Sequence, residues 1–159
     1  MDLERLRELF SYDPVSGLLT RRVTGKVCGT RHSKKRPYLR VKVDGKMLYV
    51  HRVAFAMYHG YWTDRVDHKD TGHSNNRISN LRPCTQAENG CNRDKGLPDA
   101  TSKFKGVHFE KQTQKWRAQI KVNGRKLSLG RFSSEIEAVR AYDAAAAKHH
   151  GEFARVNGV

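Results

Sequence analysis

The stretch Arg65–Arg93 reads RVDHKDTGHSNNRISNLRPCTQAENGCNR, and the order of its elements decides the fold. Arg65 to His68 has the pattern of a short strand. Residues 70–77 are polar and rich in Gly and Asn, which predicts a loop. Ile78 to Arg82 predicts a second strand, ended by Pro83, which has no N–H to give to a ladder. Thr85 with Glu88 three positions later has the pattern of a capping box and predicts a helix to about Arg93. Strand, loop, strand, helix carries four polar residues forward: Asp67 and His68 on the first strand, Asn80 on the second, Asn89 on the helix.

These residue types suit the hydrolysis of a phosphodiester. The diester is anionic and repels nucleophiles, so a catalyst must neutralise the phosphate, activate water and stabilise the leaving 3′ oxygen. A divalent ion does the first and last as a Lewis acid. Asp67 and Asn89 offer oxygen donors, which suit hard Mg2+ or Mn2+. His68, with an ordinary pKa near 6.5, can take a proton from water near neutral pH.

The whole chain supplies a reason for such a substrate. Its 159 residues hold 31 Lys and Arg against 16 Asp and Glu, a formal net charge of +15. The excess is shared, with 19 basic and 10 acidic residues in 1–98 and 12 and 6 in 99–159. Such a chain favours a polyanion, nucleic acid before an anionic membrane surface. No long apolar run or basic amphipathic helix supports the membrane. No signal peptide is read in the first turn, which carries Asp2, Glu4 and Arg5. Three cysteines without a CxxC pair, Cys28, Cys84 and Cys91, read as reduced thiols rather than a zinc site, so a cytoplasmic compartment is expected.

Outward from the central stretch, Leu3, Leu6, Leu9 and Phe10 recur at helical spacing behind Asp2. Residues 31–36 are mostly basic and read as a loop. Leu39, Val41 and Val43 alternate with Arg40 and Lys42, and Asp44-Gly45 then predicts a tight hairpin that sets Leu48 against Val41 and Val50 against Leu39. Residues 51–59 read as a helix with Val53, Ala54, Met57 and Tyr58 inward. Beyond a linker at 98–102, a second block predicts three strands. They lie around Phe104–Phe109, around Trp116–Val122 and, after Asn123-Gly124, along Leu127–Leu129. Ser134 with Glu137 predicts a capped helix whose stripe is Ile136, Val139, Tyr142, Ala146 and His149. On the middle strand the apolar residues face one way and Arg117, Gln119 and Lys121 the other. Lys126, Ser128, Lys105 and His108 extend that polar face, where Arg and Lys can read guanine and Gln adenine.

Residues 66–93 resemble the HNH nuclease motif (ββα-metal fold) in its phage and intron homing form, with an Asp-His pair first and Asn in place of the last His. The Asn-Asn-Arg-x-x-Asn-Leu and Gln-x-x-Asn stretches match it too, and the Tyr38–Arg52 hairpin extends the resemblance over roughly residues 2–95. The resemblance implies Asp67 and Asn89 as metal ligands, His68 as general base, and Asn80 as a catalytic-site residue that hydrogen-bonds across the loop to the His68 backbone. Arg52, Arg77 and Arg93 are candidate phosphate contacts. Lys105-Gly106-Val107, Trp116–Ile120, Leu129-Gly130 and Glu137–Ala145 stand in the order of the Apetala-2 (ethylene-response-factor) DNA-binding domain, which this block resembles over about residues 102–157. That resemblance implies a sheet that enters the major groove with the helix packed behind it. His108, Glu110, Gln119 and Ser128 depart from the plant pattern, so the plant target sequence does not carry over.

The expectation is therefore an α+β chain in two domains. Residues 1–97 form an HNH nuclease domain (motif core 65–94) with an upstream β-hairpin and helices. Residues 103–157 form a three-stranded antiparallel sheet packed on one helix. The expected function is a Mg2+- or Mn2+-dependent DNA endonuclease, of homing or mobile-element kind, in a prokaryotic or phage-infected cell. Double-stranded DNA is the partner, with no membrane and no small-molecule cofactor. A monomer would nick, and a dimer could cut both strands. The competing expectation is a non-catalytic DNA-binding regulator with a degenerate nuclease domain. An RNA-binding protein fits less well, because no exposed aromatic platform is evident.

Overall fold

The computed structural model describes residues 2–33, 36–92 and 101–159. The chain forms two compact units, Met1–Thr85 and Gln86–Val159. Arg93 and most of the expected linker lie outside the described residues, as do Lys34 and Lys35. Among the described residues no helix is long and apolar enough to cross a membrane.

The first unit opens with α1 (Leu3–Leu9), capped by the Asp2 carboxylate, which accepts from the Glu4 N–H at 3.2 Å. The chain then turns through a short hairpin of β1 (Phe10–Tyr12) and β2 (Leu19–Arg21). Next comes a three-stranded antiparallel sheet, β3 (Thr30–Ser33), β4 (Arg36–Val43) and β5 (Lys46–Tyr49), with β4 in the centre. The predicted loop at 31–36 is therefore largely strand, because Thr30 and Arg31 pair with Arg40 and Leu39. Asp44 (φ 43°) and Gly45 (φ 81°) make the predicted hairpin turn and set Val41 opposite Leu48. Val50 opens α2 (Val50–His59) instead of extending the strand.

Two features of α2 fix the packing of this unit. Val50 and Val53 join Leu6, Phe10, Leu19, Val41 and Val43 in one core, while Ala54 and Phe55 join Leu81 in another. Phe55 takes the inward place expected of Tyr58, which is 54% exposed at the end of the helix. After α2 the two-stranded sheet of β6 (Val66–His68) and β7 (Leu81–Pro83) packs against it. The predicted second strand starts late. Ile78–Asn80 is a 3-10 turn and only Leu81–Pro83 pairs with β6, so Asn80 sits at the end of a turn.

The second unit begins with a short helix α3 (Gln86–Cys91), followed by β8 (Val107–Glu110), β9 (Lys115–Val122), β10 (Arg125–Phe132) and α4 (Glu135–His150). β9 is central and antiparallel to both neighbours. Ser134 and Glu137 form the predicted capping box. The buried stripe of α4 is Ala138, Val139, Tyr142, Ala145 and Ala146, and it meets Val107, Ala118 and Ile120 of the sheet. Ile136 and His149 are exposed, contrary to the pattern reading. Alanines let the helix approach the sheet closely, and the stripe is rotated toward them. Gly106 (φ 75°) makes this approach possible, because a Cβ there would overlap the Tyr142 ring and lie 2.7 Å from the Gln119 carbonyl oxygen.

Candidate functional site

In the first unit the site is built on β6 and its partner. The ladder sets Asp67 opposite Arg82 and His68 opposite Leu81. Directly opposed residues share a face, so Arg82 delivers Nε and Nη2 to Asp67 Oδ2 at 3.1 and 2.9 Å. Both side chains are 8% exposed. Arg82 is a site residue that the sequence reading missed. The signal was an Asp and an Arg on two paired strands, and only the register brings them together.

His68 is 3% exposed, and its Nε2 lies 3.0 Å from Asn76 Oδ1. Around it stand the rings of His51 at 4.9 Å and Tyr38 at 5.9 Å, with His73 beside Tyr38 at 4.6 Å. Burial lowers the His68 pKa, against the pull of the Asn76 bond and the carboxylates of Asp70 and Asp67. Burial takes His51 down to about 3, helped by His68, Arg52 and His73. Both imidazoles are held neutral, the state in which a histidine can accept a proton.

Asn80 bridges the loop, and its main-chain carbonyl accepts the N–H of Lys69, next to His68, at 2.9 Å. Its Oδ1 accepts the Asp70 N–H at 3.1 Å and its Nδ2 donates to the Asn75 carbonyl at 2.8 Å. Because Asn80 closes a 3-10 turn, its amide meets Asp70 and Asn75, and the loop is clamped two residues beyond the His68 backbone. Slight burial raises the pKa of the Asp70 carboxyl, but bonds from Asn75, Asn80 and the Gly72 N–H outweigh that and lower it.

Asn89 lies half-buried on α3, in the second unit. Asp67 and Asn89 are hard oxygen donors, so the set suits a hard divalent cation in kind. A carboxylate has about four acceptor sites, and Arg82 takes two of them on one oxygen. Among the described residues no group of three or more His, Cys, Asp and Glu is placed to hold a metal, and no disulfide joins Cys28, Cys84 and Cys91. Of the candidate phosphate contacts, Arg52 donates to the Thr63 carbonyl at 3.0 Å and lies over the Trp62 ring, and Arg77 is exposed on the loop.

In the second unit the register builds one polar sheet face. His108 pairs with Arg117, Gln119 with Ser128 and Lys121 with Lys126, so all six residues stand on the same side. Arg131, opposite Arg117, joins them and was missed, because a bulge between Ser128 and Gly130 shifts the alternation of β10. Glu110 crosses this face, with Arg131 Nε at 2.5 Å and Arg117 Nη1 at 3.8 Å. The Arg131 bond holds the Glu110 carboxyl down at about 2, with help from Thr113 and Arg117. Lys105 departs from expectation. It precedes β8, its N–H donates to Asn157 Oδ1 at 2.7 Å, and its Nζ donates to the Cys91 carbonyl at 2.5 Å. Outside the ladder, strand alternation does not govern its direction.

Comparison with known proteins finds two matched segments. Residues 48–91 match a family model described as HNH endonuclease, and residues 102–152 match one described as AP2 domain. The dehydration-responsive element-binding protein 2A of Oryza sativa subsp. indica is 38% identical over 82 residues, 50% of this chain and 30% of that protein. Protein 2D of that name from Arabidopsis thaliana is 44% identical over 71 residues, 43% of this chain and 34% of that protein. The chain thus spans about a third of the length of these curated relatives. A solved structure described as DNA binding and cleavage by the HNH homing endonuclease I-HmuI aligns with a TM-score of 0.47 at 24% identity. That alignment covers 94% of this chain and 90% of that one.

Proposed function

With an HNH endonuclease match over residues 48–91 and an AP2 match over 102–152 as premise, we propose that the protein is a metal-dependent DNA endonuclease. In this reading it hydrolyses one phosphodiester per active site, and a sheet-type domain (103–157, after a nuclease domain of 1–97) holds the duplex. The observation that carries the reading is the buried His68 beside Asp67, inside the HNH-matched segment.

His68 takes the proton of a water molecule. The water oxygen forms a bond to phosphorus as the bond from phosphorus to the 3′ oxygen breaks. A hard divalent ion, Mg2+ or Mn2+, would be held by Asp67 and Asn89, and when bound it neutralises the phosphate and the leaving oxygen. Arg82 fixes the Asp67 carboxylate, and Asn80 fixes the loop that follows His68. Arg52 and Arg77 serve as phosphate contacts, and Arg93 is assigned the same role from the sequence.

On the sheet face, His108, Arg117, Gln119, Lys121, Lys126, Ser128 and Arg131 point to one surface that meets DNA. Base-edge contacts from this face add sequence preference to a compact nuclease site. A homing or mobile-element nickase is the specific form of the proposal.

The test is supercoiled plasmid incubated with and without Mg2+, beside a His68→Ala variant. Metal-dependent nicking by the wild type alone is expected. Equal nicking by both proteins sinks the role of His68, and binding without any nicking favours a regulator with a degenerate nuclease domain.

A further inference from the structure

His68 ends a strand of three residues, so the ladder alone holds its ring weakly. We propose that Asn76 is the positioning residue for His68, and that the turn between β1 and β2 holds Asn76 in place. The effect on turnover rests on the endonuclease reading above. The contact and its support stand on geometry alone.

Asn76 is 4% exposed, and its Oδ1 meets His68 Nε2 at 3.0 Å. An amide oxygen carries no hydrogen, so Nε2 donates. The neutral imidazole then carries its lone pair on Nδ1, and one tautomer and one ring orientation are selected together. A general base works only if its lone pair points at the proton that it removes.

Asn76 in turn is gripped from a segment well before it. The Tyr12 hydroxyl donates to the Asn76 carbonyl at 2.7 Å, and the Ile78 N–H donates to the Pro14 carbonyl at 3.1 Å. Gly17 (φ 77°) lets the two main chains touch. A Cβ there would lie 2.5 Å from Arg77 N and 2.6 Å from the Asn76 carbonyl carbon. The turn is braced within itself, since Asp13 accepts from the N–H groups of Val15, at 3.0 Å, and Ser16, at 3.3 Å. The Gly17 N–H donates to the Asp13 carbonyl at 2.8 Å. Residues 12–17 precede the HNH-matched segment 48–91. An upstream hairpin therefore sets the geometry of a side chain inside that segment.

The test uses the full chain labelled with 15N-histidine, read by long-range 1H–15N correlation, together with steady-state nicking. Wild-type His68 is expected in the Nε2–H tautomer. Asn76→Leu removes the acceptor and should abolish that tautomer preference. It should also lower kcat about 100-fold, within the contribution of a general base, with KM unchanged. Asn76→Asp keeps an oxygen at the same place and should retain the tautomer and most of kcat. Tyr12→Phe leaves the Asn76 side chain intact and should lower kcat by a smaller factor, so the inference stays testable if Asn76→Leu does not fold.

A wild-type His68 in the Nδ1–H tautomer overturns the inference, whatever the activity. So do unchanged kcat in Asn76→Leu and equal losses in Asn76→Leu and Asn76→Asp, the mark of a packing role. A protein that shows the Nε2–H signature yet never nicks overturns the endonuclease reading, while the signature supports the contact.

Discussion

The buried histidines make the stability of the first unit fall in mild acid, and His51 sets the scale. Its folded pKa is about 3, depressed by burial first and then by His68, Arg52 and His73. An unfolded histidine titrates near 6.5. Above that value both states are neutral and nothing is lost. As the pH falls below it, the unfolded chain binds a proton that the folded chain refuses, so stability drops through the window from 6.5 toward 3. Between pH 7 and pH 5 the loss from His51 alone is about 2 kcal/mol. The pKa of His68 is lowered too and adds a loss of the same sign. Trp62 and Trp116 are the two tryptophans and lie one in each unit. Urea unfolding followed by Trp62 fluorescence in a Trp116→Phe background therefore reports on the first unit. His51→Phe, which keeps a ring beside Tyr38 and His68, should flatten the pH dependence by about 2 kcal/mol. If the wild type and His51→Phe lose the same stability between pH 7 and pH 5, burial of a neutral His51 is the wrong account.

Gly106→Ala forces a Cβ into the Tyr142 ring at positive φ, and should cost the second unit about 2–4 kcal/mol, read by Trp116 fluorescence during unfolding. Arg82→Met leaves the buried Asp67 without its guanidinium and should cost about 3–5 kcal/mol. Adding Asp67→Asn should recover part of that loss in a double-mutant cycle. Glu110→Gln should release Arg131 and Arg117, raise duplex DNA affinity and steepen its salt dependence, measured by fluorescence anisotropy. Since the Glu110 carboxyl is held at about 2, its ion pairs persist from above the ordinary carboxylate range down to that pH and are lost only as the pH falls through it.

Local signals in the chain were legible where a backbone constraint is short-range. Asp44-Gly45 and Asn123-Gly124 take the positive φ values that tight hairpins demand, and Ser134 with Glu137 closes a capping box, since each depends on neighbours within three residues. The strand–loop–strand–helix order around Asp67, His68 and Asn89 was legible from turn residues, whereas Asn80 stands in the 3-10 turn before the second strand. The details that failed lie where packing decides. Ile136 and His149 obey helical spacing but lose the core to Ala138 and Ala145, because the sheet accepts small residues more closely. Lys105 fits the pattern of the polar face by sequence, yet it precedes β8 and turns to Cys91.

By itself, the sequence determined the chemistry available: a carboxylate beside a histidine, amide oxygens downstream, and an excess of 15 positive charges that favours a polyanion. These depend on residue types and local spacing, which the chain carries openly. Only the tertiary structure decided which partners those groups meet. Register joined Arg82 to Asp67 across 15 positions, loop closure joined Asn76 to His68, and a hairpin 64 positions upstream tied Tyr12 to Asn76. Long-range contacts of this kind follow from how strands align and loops fold back, and no local pattern in the chain encodes them.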